Sequence, residues 1–235
     1  MSDISFVTSR LDGDVAVITI DDGKANAISF AVLEQLNAAL DAAETNARAV
    51  VILGREGKFS AGFDLKVMTG EVDGARRLLG GGAELGLRLF EFPIPVVLGV
   101  TGHALAMGGI LITTADYRVG ADGPFKIGLN EVAIGMPVPM FAVELCRDRL
   151  SKTYLTRSLQ HAELFAPSAA LAANYLDEVV EADQVAARSI EVAARLAATV
   201  HPKPFAVTRK IMRRELAARI RSGLENDLAL FTVER

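Results

Sequence analysis

Glu131 has unusual surroundings. It lies in "PFKIGLNEVAIGMP" (124–137), among Ile127, Leu129, Val132, Ala133 and Ile134, with Gly128 and Gly135 on either side. A carboxylate among apolar groups is costly unless paired, and burial raises its pKa. It is either a surface acid whose neighbours point inward or a working acid/base in a dry site. Two glycine-bearing segments add to it: "FSAGFDL" (59–65) and "GHALAMGG" (102–109), each following an apolar run and leading into a helical pattern. Small residues let a ligand approach the backbone, and N–H groups left free at a helix start stabilise an anion. Two such turns, side by side at the ends of neighbouring strands, could supply the two donors of an oxyanion hole. Glycine at a strand–helix turn also arises from geometry alone.

Other chemistries lack their residues. His103, His161 and His201 are scattered, and neither C-x-x-C nor H-E-x-x-H occurs, so no metal site is expected. No Walker loop, no G-x-G-x-x-G after a strand and no G-x-S-x-G elbow is found.

The elements that must hold these residues alternate between strand and helix. "DVAVITID" (14–21) has the period of a half-buried strand, and "DDGKANAIS" reads as a loop. Ser29 is placed to cap a helix with Val32, Leu36, Leu40 and Ala43 on one face. "RAVVILG" (48–54) is a short apolar strand, 75–92 a helix, and "IPVVLGV" (94–100) a buried strand. This order favours a parallel or mixed sheet covered by helices. Three helical patterns follow Pro137, so residues 1–150 read as a sheet-containing core and 151–235 as a helical subdomain lying on it. The uncharged run Ile94–Ala115 is long enough to cross a bilayer. Its four glycines and Pro95 divide it instead into strand, turn and a helix from about Met107.

Composition narrows the class. Of 235 residues 51% are hydrophobic and 23% charged, which fits a globular chain with a large core. A net charge of −4 argues against a dedicated nucleic-acid binder. Cys146 is the single cysteine, which fits a reducing compartment. With no apolar or arginine-rich leader in the first residues, the expected location is the cytoplasm.

Taken together and in order, "FSAGFDLK", "GHALAMGG…ADYR" and "GLNEVAIGMPVP" resemble the crotonase, or enoyl-CoA hydratase/isomerase, family over about Val15 to Val180. The resemblance implies an α/β core of repeated β-β-α units with two roughly perpendicular sheets. It also implies a C-terminal helical trimerisation region, a homotrimer or hexamer, and acyl-CoA thioester substrates without a further cofactor. Carried over by position, the oxyanion donors are the backbone N–H groups of Phe63 and Met107, and Glu131 is the catalytic acid/base. Lys24, Ala25 and Ala27 fall in the loop that lines CoA, and Ala61, Asp64, Leu65, Lys66 and Gly108 in the substrate motifs.

One position departs from the hydratases. They carry a second glutamate in G-G-G-x-E-L, where this chain reads "AMGGIL" and has Ile110. Hydration needs water positioned at C3, work shared by two carboxylates. Moving a double bond from β,γ to α,β needs one base and an oxyanion hole. The chain therefore resembles the 3,2-enoyl-CoA isomerases that keep a single glutamate. The other readings are a hydratase, thioesterase or decarboxylase recruiting Glu84 as second acid, and a non-catalytic acyl-CoA binder. Asp116 and Arg118 of "ADYR" read as a strand-start ion pair, Asp64 as a helix cap with Lys66 solvated, and His103 as a packing residue.

Overall fold

The computed structural model describes residues 5–230. The main sheet has six strands: β1 (Val7–Asp12), β2 (Val15–Ile20), β3 (Ala49–Leu53), β5 (Val96–Val100), β7 (Tyr117–Ala121) and β9 (Glu178–Val180), in the order β1-β2-β3-β5-β7-β9. Only the β1–β2 hairpin is antiparallel. A second sheet orders three short parallel strands as β4 (Gly57–Ser60), β6 (Gly102–Leu105) and β8 (Ile127–Gly128).

Three of the parallel strands, β3, β5 and β7, each run into a short one and then into helix, which is the expected β-β-α unit. β3 and β4 lead to α2 (Leu65–Met68) and α3 (Val72–Glu91), β5 and β6 to α4 (Met107–Ile112), and β7 and β8 to α5 (Met140–Arg149). The short strands have no signature in the sequence, where β6 reads as a glycine-marked turn. At two to four residues, in glycine-rich sequence, they carry no alternation to detect. The run 94–115 resolves into β5, β6 and α4, and no helix among the described residues is long and apolar enough to cross a membrane.

Both faces of the main sheet are covered, so β3 is buried at all five positions. Val50 and Ile52 face a core shared with α1 (Phe30–Asn46), whose Val32, Leu36, Leu40 and Ala43 are buried as their spacing predicts. Ser29 caps α1 by accepting the Val32 N–H at 3.2 Å. Ala49, Val51 and Leu53 face α8 (Val185–Thr199), through Val185, Val192, Ala193 and Ala197. The region after Leu150 is thus more than a layer of helices. It holds α6 (Leu155–Leu159) and α7 (Pro167–Ala172), its β9 extends the main sheet, and its α8 closes one sheet face. α9 (Pro202–Leu230) packs on α3 and α5.

The expected Asp116–Arg118 pair does not form. Asp116 accepts from the Val96 N–H at 2.8 Å and from Arg209 and Arg213 of α9, the Arg213 bond at 3.1 Å. Arg118 forks onto Asp177, both bonds at 2.6 Å. All the charged partners lie beyond residue 176, so local sequence could not show them.

Candidate active site

Because β4, β6 and β8 are parallel, their carboxyl ends lie together, with Ser60 opposite Ala104 and Leu105 opposite Gly128. Three segments leave from there: the turn 61–64, Ala106–Met107, and the loop to Glu131. The first turn of α4 is wedged between the other two. A Cβ on Gly108 would meet the Ser60 carbonyl at 2.5 Å, and one on Gly109 the Gly128 carbonyl at 2.6 Å. Glycine is required at both.

The backbone at Phe63 is aimed by its neighbours. Ile28 donates to Gly62 O at 2.8 Å and accepts from Asp64 N at 3.1 Å, a parallel bridge that engages the residues on each side of Phe63. The Phe63 N–H itself points to the other side. Met107 is the first residue of α4, where a helix leaves its N–H without an internal partner. The two meet at Gly62, whose Cβ would lie 3.4 Å from Met107 N and 2.8 Å from the Ala106 Cβ. Ala106 has φ +50, a conformation that costs a non-glycine residue about 1–3 kcal/mol and is concentrated at functional sites. The Phe63 and Met107 side chains both reach the Gly82 face of α3, where a Cβ would lie 2.4 Å from Phe63 Cζ and 3.3 Å from Met107 Cε.

Glu131 is 5% exposed, and its Oε2 has no hydrogen-bond partner among the described residues. Burial pushes its carboxyl up to about 7, with the backbone N–H groups of Glu131 and Asn130 offsetting part of the rise. The sequence neighbours divide differently from expectation. Ile127 and Leu129 are buried, but Val132 and Ile134 are 44% and 53% exposed. The acid is enclosed by tertiary neighbours, and its charge is felt at the buried Cys146 thiol and Tyr175 hydroxyl. Burial first pushes both groups up, joined at Cys146 by the Glu131 charge and at Tyr175 by the Cys146 thiolate and then Glu131.

A buried carboxylate without an ion pair, on a loop that leaves the same strand ends as two backbone donors, fits proton transfer beside a stabilised oxyanion. The enoyl-CoA hydratase/isomerase family profile matches residues 10–234. The chain belongs to the enoyl-CoA hydratase/isomerase (crotonase) family. It is 30% identical over 226 residues to human mitochondrial enoyl-CoA delta isomerase 1, covering 92% of this chain and 73% of that protein. An enoyl-CoA hydratase/isomerase family protein from Pseudomonas syringae superposes with TM-score 0.94 at 39% identity, over 97% and 98% of the two chains. An enoyl-CoA isomerase from Mycobacterium tuberculosis does so with TM-score 0.92 at 39% identity, over 98% and 100%. The β-β-α architecture is therefore the crotonase fold.

Lys24 is exposed, and Ala25 and Ala27 are half-buried in a loop organised by two residues that sequence reading passed over. Asp22 accepts the N–H groups of Lys24, Asn26 and Ala27 at 2.7–3.0 Å. Burial would raise its carboxyl, yet these donors and Arg55 hold it below the usual range. Asn26, buried at φ +53, ties the loop to Ile20 O at 2.7 Å and Lys58 O at 3.2 Å. The signal was present as D-x-x-x-N, an Asx-type turn inside an apolar frame. Ala61 joins this loop to the first motif through its N–H to Ala25 O at 3.0 Å.

Asp64 caps α2 by accepting the Lys66 N–H at 2.9 Å, while Lys66 is exposed and Leu65 is 69% exposed at the rim. Ile110 is 1% exposed, one turn into α4. His103 packs edge-on to Phe125 at 5.4 Å. Glu84 is not brought to the site. It lies two residues past Gly82, about 200° round α3, and is exposed over a depression shared with Arg221 and Leu224 of α9. Among the described residues no group of three potential ligands could hold a metal ion.

Proposed function

We propose that this chain is a 3,2-enoyl-CoA isomerase in which Glu131 alone carries the proton. The observation that supports this reading most is the pairing of one buried carboxylate, raised to about 7, with a buried isoleucine at residue 110. The thioester oxygen accepts from the N–H groups of Phe63 and Met107. The Glu131 carboxylate removes a C2 proton, and the released electron pair spreads over the thioester and the C3–C4 double bond as a dienolate. The double bond re-forms between C2 and C3, and the Glu131 carboxylic acid returns its proton at C4. A base poised near neutrality suits a shuttle that must both take and give. The apolar surface of Ile110 keeps water from competing for the dienolate.

The CoA portion is assigned to the Lys24–Ala27 loop and to the rim at Ala61, Asp64, Leu65, Lys66 and Gly108. The proposed assembly is a homotrimer or hexamer. Val207, Ile211 and Met212 of α9 are 58%, 66% and 77% exposed, an apolar stripe suited to cover by another copy.

The test is product identity. Given 3-enoyl-CoA and crotonyl-CoA separately, the protein is expected to form 2-enoyl-CoA from the first and little or no 3-hydroxybutyryl-CoA from the second. Ile110→Glu is expected to gain hydratase activity at some loss of isomerase rate. Efficient hydration by wild type without isomerisation would overturn the reading.

A further inference from the structure

The segment carrying Glu131 holds a single 3-10 turn between β8 and α5, so its position must be fixed from outside. On one side Ile127 and Phe165 exchange backbone bonds of 2.9 and 2.8 Å. After the acid, the N–H groups of Ile134 and Met136 both close on the Glu131 carbonyl, at 3.0 and 2.9 Å. Three residues, Pro137-Val138-Pro139, then join this turn to Met140 at the start of α5. Two prolines fix φ at two of the three, so the link is stiff.

α5 has no cap of its own, because its N-cap residue is Pro139. The Met140 N–H is taken instead by Asp227 Oδ1 of α9 at 3.0 Å. One helical turn earlier on the same face of α9, Gly223 leaves the space that Met140 fills: a Cβ there would lie 2.0 Å from Met140 Cε. Asp227 Oδ2 is buried without a partner among the described residues, a desolvation cost that an exposed cap would avoid. The same stretch of α9 also packs on α3. Leu228 Cδ1 lies 3.3 Å from where a Gly80 Cβ would be, and Arg76 donates to Ala229 O at 2.9 Å.

We infer that the Gly223–Asp227 face of α9 is a positioning site for the catalytic acid, gripping Met140 and setting Glu131 through the Pro137–Pro139 link. This rests on Glu131 being the acid/base. The ionisable groups facing Glu131 are Cys146 of α5 and Tyr175, both held neutral by burial and by that charge. The charges near Met140 on the packed helices are Glu144 of α5, paired with Arg219 of α9, and Asp227 itself.

The experiment compares Asp227→Ala, Asp227→Asn and Gly223→Ala with wild type and Glu131→Gln. Each is read as kcat, KM and the pH profile of kcat on 3-enoyl-CoA, with thermal unfolding alongside. Loss of the acceptor is expected to lower kcat roughly tenfold to a hundredfold, the scale of a 1 Å misplacement, with KM little changed. Water reaching a loosened Glu131 should also move the acidic limb of the profile from about 7 toward the ordinary 4.5. Asp227→Asn keeps an oxygen for the Met140 N–H and should restore most of the rate and the wild-type profile. If Asp227→Ala does not fold, Gly223→Ala carries the test, and its kcat must fall at constant KM. Wild-type kcat and profile in the folded variants, or a loss in Asp227→Asn as large as in Asp227→Ala, would overturn the inference. An active Glu131→Gln would instead overturn the role of Glu131.

Discussion

Replacing Glu131 by glutamine should make the protein slower and more stable at once. The carboxyl is held at about 7 against an ordinary 4.5, because burial penalises its charged form. Between those two values the folded state binds one proton that the unfolded chain has released. Stability therefore falls as pH rises, by about 1.4 kcal/mol per pH unit across that window. From pH 4.5 to 7 this amounts to about 3 kcal/mol, fully lost above the folded-state pKa. Glutamine carries no charge to desolvate, so Glu131→Gln should match wild type near pH 4.5 and exceed it by about 3 kcal/mol at pH 8. For a chain of 235 residues that is a rise in Tm of roughly 6–12 °C. Turnover of 3-enoyl-CoA should fall at least ~10²-fold, since the proposed base is gone while the proposed donors at Phe63 and Met107 remain. Wild-type kcat should itself decline below about pH 7 as the acid protonates. Denaturant unfolding at pH 4.5 and 8, with product chromatography, reads all three effects. A variant that keeps its rate and gains no stability at pH 8 would show that Glu131 is solvated and structural, and the reasoning would fail.

Gly82→Ala and Gly81→Ala form a controlled pair on α3, each gaining helix propensity of about 1 kcal/mol. At Gly82 the new methyl would lie 2.4 Å from Phe63 Cζ, so ring and backbone donor must shift, and kcat should drop about tenfold or more. At Gly81 it meets only the flexible tip of Leu33, at 2.8 Å, and kcat should be unchanged; equal kcat in both variants would separate the Phe63 ring from its donor. Asp116→Ala strands the buried Arg209 and should cost about 3–5 kcal/mol by denaturant unfolding, with kcat of the folded protein retained. Light scattering at micromolar concentration should return three or six chains of 25.0 kDa, and a stable monomer would refute the assembly.

Much of this protein is legible in its sequence. Strands β2, β3 and β5 announce themselves because burial on one or both faces demands apolar residues at period two or in short runs. Ser29 and the α1 stripe follow from capping and the helical period. Turn glycines at 62, 108 and 109 mark where backbones must touch, and the joint order of three motifs fixed the family. These are local properties, written in contiguous residues. What remained hidden depends on partners distant in sequence. Val132 and Ile134 look like a wall around Glu131 but face solvent, because the 3-10 turn rotates them outward while Ile127 and Leu129 go in. Glu84 is excluded by its angle round α3, a matter of two residues that composition does not record. Asp116 and Arg118 stand two apart yet pair with Arg209, Arg213 and Asp177, since their strand is crossed by the chain's last third. A hydrogen bond between residues 87 apart, such as Met140 to Asp227, leaves no periodic trace in the sequence, and only the tertiary fold decides it.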